Sequence, residues 1–244
     1  MQNVKRKLLR ASLVLSTLLL ISFAGLLWAR PGAVACAFID QSSLVNWSDA
    51  NYSESTHTQD HDRYDFLLRR ARSRINRVFG ESRSNPHIIF FDSTKPILFY
   101  KPNAYGSTQF VGKKTCVFIG PKGQNVDVVA HELVHADIYA ALGTIDRTLH
   151  MPVWLDEGLA MQVDFRPQYQ LNSPSNEVLQ QVGAWNSYEE FFNAPEPGAL
   201  ANRYALSKAR VQKWVDSIGP NNVFTELKSL VSGGMSEEAR NAGL

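Results

Sequence analysis

Cysteine is almost absent: Cys36 and Cys116 are the two among 244 residues, so at most one disulfide can form. An excess of charge is missing too. The 25 basic and 23 acidic residues nearly cancel, which leaves no broad positive surface for neutralising phosphates and excludes nucleic acid as an expected partner. No segment repeats another, and the length suits one sizeable domain.

Long hydrophobic runs are missing everywhere except at the N-terminus. Residues 11–29 carry no charge over 19 positions and are dominated by Leu, Ile, Val and Phe. That length approaches the roughly 20 residues that span a bilayer and exceeds the roughly 7 to 15 of a signal-peptide core. The expectation is an uncleaved signal anchor over residues 1–30. Lys5, Arg6, Lys7 and Arg10 precede the run and Arg30 follows it, so the positive-inside bias puts the N-terminus in the cytoplasm and the remaining chain outside the membrane. Cleavage is the rival reading, because Ala33-Val34-Ala35 offers the small residues that signal peptidase prefers. Lipidation at Cys36 is a third, opposed by Ala33 where a lipoprotein signal usually has Leu. An extracytoplasmic compartment would let Cys36 and Cys116 pair. Without pairing, Cys116 is a buried residue of an apolar strand.

Residues 31–62 read as a spacer, because the stretch 41–62 is rich in Ser, Asn, Thr and Asp and poor in aliphatics. His57 and His61 stand four apart there, with neither acidic support nor helical periodicity, and are expected to be solvated. Over 63–79, Phe66, Leu67, Ala71, Ile75 and Phe79 recur at helical spacing before Gly80, which predicts an amphipathic helix with a solvated arginine face. Residues 87–91, 97–100 and 115–119 are short β-branched and aromatic runs bounded by turn formers, as in a small sheet. Helical patterns follow near 126–142, 153–163, 199–217 and 222–231. The expected fold class is α+β, with a helix packed on a small sheet.

The first of these late helices carries His131-Glu132-Leu133-Val134-His135. Residues four apart on a helix lie about 40° apart around its axis on successive turns, so the two histidines can share one ion. Glu132, rotated by about 100° from His131, can border the ion without binding it and act as a base toward water. Val128, Val129, Leu133 and Val134 give the helix a buried setting, where two histidines need partners. The spacing recurs by chance, so a second element is required. It comes in Trp154-Leu155-Asp156-Glu157-Gly158-Leu159-Ala160, where the 21 residues between His135 and Glu157 allow the chain to turn and return.

Residues 126–160 thereby resemble the gluzincin group of zinc peptidases, in which the HExxH helix is followed by a Glu on a second helix within a Trp-Leu-x-Glu-Gly-Leu/Phe-Ala pattern. The resemblance implies a zincin-like metallopeptidase domain over 63–244. It assigns one Zn2+ to His131, His135 and Glu157, and the general base to Glu132. Three protein ligands leave one position open, as a catalytic zinc requires. The implied activity is hydrolysis of a peptide or protein substrate outside the membrane. A zincin-fold scaffold without turnover is the alternative, and a structural zinc site would need a fourth protein ligand.

Other residues carry two readings each. Asp156 either orients a ligand histidine or favours the start of its helix. Asp137 points away from the His135 face, toward solvent or a capping role. His150 either reaches substrate or is a plain loop histidine. Tyr204 resembles the tyrosine that many gluzincins place near the oxyanion, or else packs its helix. Residues 115–119 are expected to border the cleft and pair with substrate backbone, beside the loop 103–108.

Overall fold

A computed structural model describes Gly25, residues 29–98 and residues 100–232. The signal anchor expected over 1–30 lies almost wholly outside them. Among the described residues no helix is long and apolar enough to cross a membrane.

The chain forms α1 (Pro31–Ala37), β1 (Val45–Ser48), β2 (Asn51–Ser53), α2 (Thr58–Phe79), β3 (His87–Phe90), β4 (Gly106–Val111), β5 (Lys114–Ile119) and α3 (Val126–Leu149). There follow α4 (Val153–Ala160), α5 (Asn176–Gln180), α6 (Tyr188–Phe192), α7 (Ala199–Ile218) and α8 (Val223–Val231). The fold is mixed α+β, as expected. Its strands form one sheet in the order β1-β2-β3-β5-β4. Pairing is parallel for β2/β3 and β3/β5 and antiparallel for β1/β2 and β4/β5.

Side chains alternate along a strand, and here both faces are covered. Ile88, Phe90, Val117 and Ile119 enter a large core shared with α2, α3, α4, α7 and α8. Ile89, Phe91, Cys116 and Phe118 point the other way, onto Ala35, Cys36 and Ile39. Burial on both faces explains why β3 and β5 read as continuous apolar runs rather than as alternating ones. A disulfide between Cys36 and Cys116 fastens α1 to this second face, and Ala33, Val34 and Ala35 are buried with it.

Several expectations need correction. The expected spacer is built into the fold: β1 and β2 extend the sheet, and Tyr52 and Ser53 are buried. Its polar sequence hides this because tertiary contacts, not local apolar pattern, hold it. The Trp47 indole donates to Asp65 Oδ1 at 3.3 Å and its ring stacks on His61 at 5.1 Å. His61 is therefore half-buried on α2 rather than solvated, while His57 is exposed at the start of that helix. On α2 the buried face is Tyr64, Leu67, Leu68, Ala71, Ile75 and Phe79, and Phe66 is exposed. In place of the strand expected over 97–100, Ile97 and Tyr100 form an isolated bridge to each other. One edge of the sheet is instead β4, whose half-buried Ser, Thr and Gln residues give it no apolar pattern to read.

Asp137 is fully buried, contrary to a solvent role. Its Oδ1 accepts from Ser82 Oγ, Arg83 N, Ser84 N and Ser84 Oγ at 2.6–2.9 Å, tying the loop after α2 to α3.

The disulfide closes a sequence separation of 80 residues, for which loop-closure entropy gives about 4.5 kcal/mol of stabilisation. Urea unfolding of a Cys36→Ser/Cys116→Ser variant should show a loss of that order, and an unchanged midpoint would contradict the clamp.

Candidate metal centre

Helix α3 starts at Asn125, whose side chain accepts from Val128 N at 3.0 Å, a capping contact that satisfies one free amide of the first turn. Val128, Val129, Leu133, Val134 and Ile138 are buried around the helix. His131 and His135 share the face turned toward α4. That helix begins after Pro152 and buries Trp154, Leu155, Leu159 and Ala160. With its apolar side so anchored, α4 presents Asp156 and Glu157 to α3.

The imidazole Nε2 atoms of His131 and His135 lie 3.1 Å apart. Glu157 Oε2 stands 3.3 Å from the first and 3.6 Å from the second, buried and without a hydrogen-bond partner of its own. Ligand atoms of all three residues fall within 4.8 Å of one another. A tetrahedral ion with bonds of about 2.0–2.1 Å would separate its donors by about 3.3–3.4 Å. The observed spacings straddle that value, so these residues could hold a metal ion.

Electrostatics agree with the geometry. Burial alone would raise the Glu157 carboxyl, yet His135 and His131 hold it well below the usual carboxylate range. Burial opposes charge on His135, but Asp156 and Glu157 outweigh it and push the imidazole up to about 10 in the metal-free protein. The donors thus form a buried, charge-matched cluster that a cation can enter by displacing a proton.

Asp156 Oδ1 lies 2.7 Å from His135 Nδ1. An imidazole donating Nδ1–H to this carboxylate keeps its Nε2 lone pair free for the ion. Both sequence readings of Asp156 hold: it stands in the first turn of α4, and its carboxylate orients the His135 ring.

His131 and Glu132 open onto a cleft of about 400 Å³, walled by Tyr105, Tyr169, Tyr188 and Tyr204. Burial pushes the Glu132 carboxyl up, while Thr108 Oγ1, 2.8 Å from Glu132 Oε2, steadies it from β4. Gly106 makes room for this carboxylate: a Cβ there would meet Glu132 Cγ at 2.8 Å. Both residues fall in the loop 103–108 expected beside the cleft, but their contact with Glu132 was not legible, because a partner 24 or more positions away leaves no local signal. The Tyr204 ring centre lies 6.3 Å from that of His131, so this tyrosine faces the cleft as well as packing α7. His150 does not line the cleft; it is exposed and pairs with Asp146 at 3.3 Å. The strand beside the cleft is β4 rather than β5, which lies between β3 and β4.

Comparison of the chain with protein-family models, curated proteins and solved structures gives no match.

Metal analysis of the purified protein should find one ion per chain. His135→Ala should lose it, and Asp156→Asn should bind it about 10- to 100-fold more weakly. Full occupancy in His135→Ala would contradict the assigned cluster.

Proposed function

We propose that the protein is a zinc-dependent peptidase of the gluzincin type, acting on peptides outside a membrane to which its N-terminus tethers it. The observation that carries this reading is the convergence of two imidazoles and a carboxylate beside Glu132 on the floor of a cleft. Two nitrogens and one carboxylate oxygen make a donor set suited to zinc, whereas calcium and magnesium favour oxygen alone. No fourth His, Cys, Asp or Glu joins the cluster among the described residues, which suits a catalytic site over a closed structural one.

When bound there, zinc would supply a Lewis acid for the scissile carbonyl and lower the pKa of an attacking water. Glu132 takes the proton of that water and delivers it to the leaving amine. Thr108 keeps the Glu132 carboxylate turned toward this task, and burial makes it a stronger base than a solvent-exposed carboxylate. Tyr204, on the wall beside His131, is the candidate donor to the developing oxyanion. An extended substrate would lie along β4 and the 103–106 loop, of which Asn103, Tyr105 and Gly106 line the cleft. The Cys36–Cys116 disulfide supports an oxidising compartment, in keeping with a tethered domain outside the cytoplasm.

Glu132→Gln should retain about the parent's zinc while cleavage of a peptide library falls by a factor on the order of 10² to 10⁴. Undiminished cleavage in this variant would end the general-base assignment, and a parent that cuts nothing would end the peptidase reading.

A further inference from the structure

We propose that Arg147 is a positioning residue for the metal, acting through Asp156 on His135. The inference rests on the metal centre of the reading above and adds what sets its affinity.

The motif helix bends at Gly143, whose φ of 75° lies in the left-handed region that favours glycine. No atom comes within 4 Å of where its Cβ would stand, so backbone conformation rather than crowding calls for glycine here. Beyond the bend, residues 144–149 resume the helix and bring Arg147 to the first turn of α4. Arg147 Nη2 lies 2.6 Å from Asp156 Oδ2 and stands off His135 Nδ1 at 3.5 Å, while Asp156 Oδ1 is 2.7 Å from that same Nδ1. One carboxylate therefore holds the cation with one oxygen and the ligand imidazole with the other.

The guanidinium is itself fixed. Its carbon lies 5.3 Å from the centre of the Phe110 ring, which stacks at 4.4 Å on Tyr139. The Tyr139 hydroxyl donates to Gly112 O in the turn between β4 and β5. A column of packed groups thus runs from that hairpin through Tyr139, Phe110, Arg147 and Asp156 to His135. The Arg147 and Asp156 side chains are only 13% and 17% exposed, so their pairing differs from a solvated surface ion pair of little effect. Without Arg147, Asp156 would be a carboxylate missing one of its two anchors, free to turn away from the imidazole. Lysine would keep the charge but lose the planar fork and the stacking on Phe110.

The test is Zn2+ affinity, measured by competition with a chromophoric chelator at fixed pH, with folding of each metal-free variant checked by circular dichroism. Arg147→Lys should bind Zn2+ about 10- to 100-fold more weakly than the parent, while His150→Ala, three residues on, should match the parent. Because both residues act on one imidazole, Arg147→Lys combined with Asp156→Asn should bind no more weakly than Asp156→Asn alone. Should Arg147→Lys fail to fold, Phe110→Leu, which removes the ring beneath the guanidinium, should weaken binding in the same direction. Parent-like affinity in the folded variant, or penalties that multiply in the double variant, would overturn the proposal. A parent that takes up no Zn2+ would overturn it together with the metal centre. These titrations use no peptide, so a parent that binds Zn2+ without cleaving contradicts the peptidase reading and leaves Arg147 untouched. A parent that cleaves, with Arg147→Lys binding as tightly, removes only the role of Arg147.

Discussion

Two imidazoles and a carboxylate lose hydration when they are pressed to within 3.6 Å of one another between two apolar helices, and something must compensate for that loss. The arrangement around them serves this requirement. Helix α3 buries Val129, Leu133 and Val134 in the core, which leaves His131 and His135 on the face toward α4 and the cleft. Helix α4 is short, and its buried Trp154, Leu155, Leu159 and Ala160 fix which way Glu157 faces. A cation shared by the three donors would replace the lost water contacts, and the Asp156 carboxylate does the same for the outer nitrogen of His135.

The sheet gives this pair of helices its foundation. Its central parallel strands are covered on both faces, by α2 and α3 on one side and by the disulfide-fastened α1 on the other. Strand β4 then reaches past the core to the cleft, where Gly106 and Thr108 bracket the carboxylate of Glu132. One edge of the sheet therefore shapes the space around the proposed base.

Much of this was legible before any coordinates. The i, i+4 histidines and the acidic start of an apolar second helix are local patterns, and both survive folding unchanged. Helices α2, α7 and α8 were readable for the same reason, since each carries its own apolar stripe. What escaped reading depends on distant partners. β1 and β2 are polar segments that become strands only because Tyr52 and Trp47 find pockets made elsewhere. The helical pattern expected over 126–142 ends just before Gly143, so the turn of helix beyond it and the contact between Arg147 and Asp156 were not legible. Asp137 looked solvent-facing because the serines that bind it come from a loop more than 50 residues earlier.

The metal centre is tested most directly by anomalous diffraction at the zinc edge from crystals of the purified, zinc-loaded protein. One peak should stand about 2.0–2.2 Å from His131 Nε2, His135 Nε2 and a Glu157 carboxylate oxygen, with its fourth position free of protein. A peak bound elsewhere, or one closed by a fourth protein side chain, would contradict a catalytic centre at these residues.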